Sequence, residues 1–195
     1  MNKKTKIIIT SASVFLILTF FFPIWQINLQ APQYPEGIGL NIWINQISGQ
    51  KTNDINTLNE LNHYIGMKKI LPNSIKELKV MPYILIFMIL FGITVGVSGK
   101  KILVKVWIGL FLILALAGMI DFYMWEYSYG HNLNPEAPIK IPGMSYQPPL
   151  LGSKQLLNID ATSLPHIGSI IIFISVLTTC IALYKENHFK ENAGK

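Results

Sequence analysis

The chain has 195 residues, of which 51% are hydrophobic and only 13% charged, with a mean hydropathy of +0.40. Soluble domains carry about 25% charged residues, so this composition excludes an ordinary soluble domain. The net charge of +6 comes from lysine alone, since the sixteen basic residues include no arginine. Readers of nucleic-acid phosphate use arginine forks and clustered patches, and no nucleic-acid partner is expected here. A single cysteine, Cys180, excludes an internal disulfide, a cysteine-based zinc site, a CxxC redox pair and a c-type haem attachment.

Four apolar runs, 7–25, 82–98, 104–124 and 167–184, are each long enough, at about 1.5 Å per residue, to cross a hydrocarbon core about 30 Å thick. The expected fold class is therefore an all-α membrane protein, a single integral domain over 1–195 embedded in a lipid bilayer. The first run follows a basic start, as a signal peptide would, but Phe22-Pro23-Ile24-Trp25-Gln26 offers no small-x-small cleavage site. It reads as a retained anchor. Pro82 in the second run suits only a first helical turn, where its missing N–H has no helical partner. Gly92 and Gly96 form a small-xxx-small pattern that lets backbones approach, with Gly109, Ala115 and Gly118 of the third run as candidate partners.

Lysine density sets the expected orientation. Lys3, Lys4 and Lys6 precede the first run, Lys100, Lys101 and Lys105 lie around the turn between the second and third, and Lys185, Lys190 and Lys195 follow the fourth. Segments 99–103 and 185–195 and both termini are expected in the cytoplasm, in a bacterial inner membrane. Trp25 and Trp125 then mark the outer interface, and Trp107 and Tyr184 the inner one.

The two outer segments, 26–81 and 125–166, are too long to be structureless without a function. They predict an ordered cap made of a short strand, a short helix and a proline-rich strap. Ala31-Pro32-Gln33-Tyr34-Pro35-Glu36-Gly37 opens the first segment. Leu40, Ile42 and Ile44 share a face at period two, which with Trp43 predicts a strand ending near Gly49. Ile55, Leu58, Leu61 and Ile65 predict an amphipathic helix from Asp54, stopped at Gly66. Ser74 and Glu77 have capping-box spacing, which predicts a further short helix leading into the second span. Six prolines, Pro135, Pro138, Pro142, Pro148, Pro149 and Pro165, argue against long helix or central strand in the second segment.

Candidate chemistry lies on the outer side. Imidazole and thioether are the ligands expected for copper where cysteine is missing, thioether above all for Cu(I). His63, Met67, His131 and Met144 form a candidate metal set, with copper the only cofactor suggested. His63 and Met67 would share a face on a continuing helix, and Gly66 lies between them. The same residues also read as a polar helix-face histidine and a hydrophobic plug under a loop. Asp121 is the only carboxylate within a predicted span and Glu126 follows it, and intramembrane ionisable groups are functional candidates. No P-loop, dinucleotide fingerprint, HExxH motif or GxSxG elbow is present, so no catalytic residues are assigned.

The stretches Ala31-Pro32-Gln33-Tyr34-Pro35-Glu36-Gly37, Leu61-Asn62-His63-Tyr64-Ile65-Gly66-Met67, Pro142-Gly143-Met144-Ser145-Tyr146-Gln147-Pro148-Pro149 and Lys154-Gln155-Leu156-Leu157-Asn158 resemble small four-span membrane proteins encoded in nitrous-oxide-reduction gene clusters of Bacteroidetes-type bacteria. The resemblance implies a non-enzymatic accessory protein that supports a periplasmic copper enzyme, nitrous-oxide reductase, or its maturation proteins, by supplying copper or electrons. Two other readings stay open. One is a metal-free scaffold that binds a partner through Tyr34, Trp43, Tyr64 and Tyr146, aromatic anchors of the kind that dominate interfaces. The other is a quinone-linked redox or transport subunit using Asp121 and Glu126.

Overall fold

The computed structural model describes residues 1–193, with side chains up to His188. Among them, four helices are long and apolar enough to cross a membrane: Lys3–Phe21, Glu77–Ser98, Lys101–His131 and Ile167–His188. The chain is a membrane protein, but its fold is not all-α. A five-stranded antiparallel sheet joins the two outer segments, in the order β3-β2-β1-β5-β4.

The first span is α1 (Lys3–Phe15) continued by a 3₁₀ stretch, Leu16–Phe21. The larger rise of the 3₁₀ form, about 2.0 Å per residue, brings this short segment to about 30 Å. The strands β1 (Trp25–Ala31), β2 (Tyr34–Ile42) and β3 (Ile47–Gly49) follow, then helix α2 (Asp54–Ile65). The spans α3 (Glu77–Ser98) and α4 (Lys101–His131) come next, and the chain returns through β4 (Gly152–Leu156) and β5 (Ile159–Pro165) to α5 (Ile167–Ala193).

Strand β1 is legible as alternation, with Trp25, Ile27 and Leu29 on one face and Gln26, Asn28 and Gln30 on the other. It follows the first span so closely that the membrane signal masks it. The expected strand at Leu40 exists, but it starts at Tyr34 and ends at Ile42. Trp43 then turns the chain by donating its N–H to the Gln46 carbonyl, and Ile44 leaves the sheet to join the core of the bundle. Ala31-Pro32-Gln33-Tyr34 is the β1–β2 turn, and the register shifts between Leu29 and Ala31. Gly37, at φ +70°, absorbs that irregularity, as glycine does wherever the left-handed region is required.

The prolines of the second segment act as expected except at the last. Those from 135 to 149 lie outside helix and strand. Pro165 closes β5, an interior strand between β1 and β4, and its place at the strand end avoids the missing ladder bond.

Helix α2 has the predicted bounds, with Gly66 as a left-handed C-cap at φ +82°. The capping box does not form. Lys76 is the cap of α3 and makes no side-chain cap bond, while the Ser74 hydroxyl turns back to the Leu71 carbonyl. The second span consequently starts at Glu77 and carries Pro82 inside the helix rather than in its first turn.

Gly96 of α3 faces α1, while Gly92 lies between α1 and α4. A Cβ at Gly92 would meet the Ser13 hydroxyl and, at 2.9 Å, the Trp107 Nε1 of α4, and one at Gly96 would meet Thr10, whereas Gly109 and Gly118 have open space around them. Trp107 is buried in the bundle, not interfacial, and donates from Nε1 to the Met88 carbonyl.

At one end of the bundle, buried Glu186 of α5 accepts the Asn2 N–H and the Thr5 hydroxyl. Lys101 at the start of α4 donates to the Glu186 carbonyl and to Asn187. The sheet lies at the other end. Its inner face, with Ile27, Ile38 and Leu40, packs with Leu58 of α2 and Trp125 and Tyr129 of α4 in a second core.

Candidate functional site

Helix α4 has 31 residues and is about 46 Å long at the standard rise, well beyond a hydrocarbon core of about 30 Å. Its last turns stand in the cap. There Trp125, Glu126 and Tyr129 line a cavity of about 90 Å³, closed by the sheet (Ile27, Leu40), by α2 (Leu58, Asn62) and by Tyr146 of the proline strap. The strap is held down by the Tyr146 N–H, which donates to the Gly130 carbonyl at 3.0 Å. Gly130 allows this approach, because a Cβ there would lie 2.4 Å from the Gln147 nitrogen.

Within this apolar lining Glu126 is 0% exposed. Both of its carboxyl oxygens lack a hydrogen-bond partner among the described residues, as does the buried Tyr146 hydroxyl. Two other polar groups of the lining are satisfied: Tyr129 donates to the Lys69 carbonyl and Asn62 to the Lys68 carbonyl. Buried polar groups are nearly always paired, and isolated charges are far more expensive to bury than amides or hydroxyls. Three buried polar atoms without a partner among the described residues thus belong to side chains that line one cavity.

The candidate copper set is distributed differently. The structure brings its two segments together: the Asn134 N–H donates to the Gly66 carbonyl at 2.8 Å and the Ile139 N–H to the Tyr64 carbonyl at 2.9 Å. The four side chains nevertheless occupy different settings. His63 is exposed, with its ring edge-on to Tyr64. His131 is exposed, stacks on Tyr127 and uses Nδ1 on the Tyr127 carbonyl. Met67 follows the Gly66 cap, off the end of α2, and forms part of the cavity wall. Met144 is half-buried in the strap. No group of three or more His, Cys, Asp or Glu suited to a metal ion occurs among the described residues.

Of the aromatic anchors suggested for a partner, Tyr64 is exposed and Tyr146 is interior, while Trp43 uses its Nε1 on Ser48. Asp121 is exposed on α4 and Glu126 is enclosed, so the two carboxylates do not share an environment. Glu126 was visible in the sequence as a carboxylate beyond a span. Its aromatic company was not, because Trp125 read as an interfacial residue, Tyr146 as an anchor for a partner, and Tyr129 carried no signal of its own.

The fold and this cavity define a four-span membrane protein with a mixed α/β cap. Neither the known family models nor the curated proteins contain a match to its sequence.

Proposed function

We propose that the chain is a non-enzymatic accessory protein of the bacterial cytoplasmic membrane, with both termini in the cytoplasm and the cap on the periplasmic side. In this reading the cap is the working part. It supports a periplasmic copper enzyme of nitrous-oxide reduction by supplying copper or electrons. The observation that carries the reading is that both outer segments fold into one body, with β1 paired to β5 and the 64–66 backbone bonded to the 134–139 strap.

Two further features support it. The described lysine-dense segments, around Lys6 and Lys101, gather at the end of the bundle opposite the cap, as the positive-inside rule expects of a cytoplasmic end, while the side chains of Lys190 and Lys195 lie outside the described residues. Three buried hydroxyls of the bundle, Ser13, Ser175 and Thr179, bond to carbonyls of their own helices, as they do in a packed anchor, while that of Thr19 has no partner among the described residues. Copper itself rests on the sequence resemblance and on the ligand chemistry of His63, Met67, His131 and Met144.

The test is Cu(I) content and affinity of the purified full chain beside a His63→Ala/Met144→Ala double variant. Stoichiometric Cu(I) lost in the variant is the expected outcome. A wild type that binds none removes copper supply. A variant that keeps it removes these ligands.

A further inference from the structure

We propose that the cap cavity is a binding site for a small organic ammonium ion, a primary amine with a short apolar chain, held by Glu126 and Tyr146. The site shares the cap with the copper reading but not its proposed ligands, apart from Met67 in the wall, so either stands if the other fails.

Three observations select this chemistry. First, the carboxyl group of Glu126 is enclosed with no hydrogen-bond partner among the described residues, and a carboxyl out of water stays charged only where a counter-charge and donors meet it, being otherwise protonated. A primary ammonium supplies the charge and three N–H donors. The unpartnered acceptors are also three, Glu126 Oε1 and Oε2 and the Tyr146 hydroxyl oxygen.

Second, the same cavity is lined by the rings of Trp125 and Tyr129, whose centroids are 4.3 Å apart. Aromatic faces attract organic cations, an attraction that a neutral aliphatic ligand of the same size lacks. Third, the remaining wall is apolar except for Asn62, and the volume is about 90 Å³. Cavities of about 150 Å³ take benzene, so this one suits an alkyl chain of about four carbons and is small for a quinone ring.

n-Butylammonium and n-butanol, nearly equal in size, are titrated against the full chain in detergent, with empty micelles as the blank. Saturable binding of butylammonium at least tenfold tighter than of butanol is expected in the wild type. Glu126→Gln should abolish that preference, and Leu61→Phe, which enlarges a side chain of the cavity wall and keeps the carboxylate, should weaken both ligands. If Glu126→Gln does not fold, Glu126→Met carries the same comparison, because an apolar side chain matches the apolar wall. Absence of saturable butylammonium binding, equal binding of the two ligands in the wild type, or a preference unchanged by loss of the carboxylate overturns the proposal.

Discussion

The carboxylate of Asp54 accepts the N–H groups of Lys51 and Gly39, each at 3.0 Å, and is 6% exposed. One residue thereby starts α2 and ties it to β2. Hydrogen bonds to a charged group contribute about 1.5–3 kcal/mol each, so Asp54→Ala is expected to cost about 3 kcal/mol, read as a lower thermal midpoint in detergent. Leu157 presents the opposite case. It occupies the β4–β5 turn at φ +58°, a conformation rare for a bulky residue and favoured by asparagine. Leu157→Asn is expected to raise stability by about 0.5–1 kcal/mol, measured by chemical denaturation. Glu126 lies between these extremes, buried without a partner. An unsatisfied buried polar group costs about 1–3 kcal/mol, a penalty that an apolar side chain of similar volume does not carry. Glu126→Met should therefore raise the thermal midpoint, and an unchanged or lowered midpoint would show that the carboxylate is already satisfied.

At the scale of elements, the contact between α1 and α3 depends on glycine. A Cβ at Gly96 would lie 2.3 Å from the Thr10 hydroxyl and 2.9 Å from its backbone nitrogen, and the backbone atom has no room to yield. Gly96→Leu is expected to separate the two helices and to cost more than 2 kcal/mol, within the range for overpacked cores, whereas Gly109→Leu, in open space, should be nearly neutral. Comparing the unfolding midpoints of the two variants tests this assignment. The small-residue pattern was plain in the sequence, but its partner was not. Spacing shows that a face is small without showing which helix fills it. The α3–α4 turn made the small residues of α4 the natural guess, yet Gly109 and Gly118 stand in open space and α4 meets Gly92 with the indole of Trp107.

For the whole molecule, the decisive event is the pairing of β1 with β5, residues separated by most of the chain. Asn28 is opposite Thr162 in that register, within the span a disulfide bridges between neighbouring strands. Asn28→Cys with Thr162→Cys, in a Cys180→Ser background, is expected to oxidise readily to an intramolecular disulfide. Persistence of both thiols under mild oxidant would argue against the register. The same pairing explains how both outer segments come to wall a single cavity, since each supplies strands to one sheet and the sheet seats them on the projecting end of α4.

The sequence by itself determined the four spans, α2 with its glycine stop and the uneven placement of lysine. Each of these is a local property, decided by hydrophobic length, a period near 3.6 or charge density within a few turns. The mixed α/β class, the partner of Gly92 and Gly96 and the enclosure of Glu126 were decided only in the tertiary structure. Strands such as β4 and β5 are short and weakly patterned, and what stabilises them is the ladder formed with distant neighbours. A lone carboxylate beyond a span is equally compatible with water or with a cavity. Only the arrival of the sheet and the strap over the end of α4 takes Glu126 out of water.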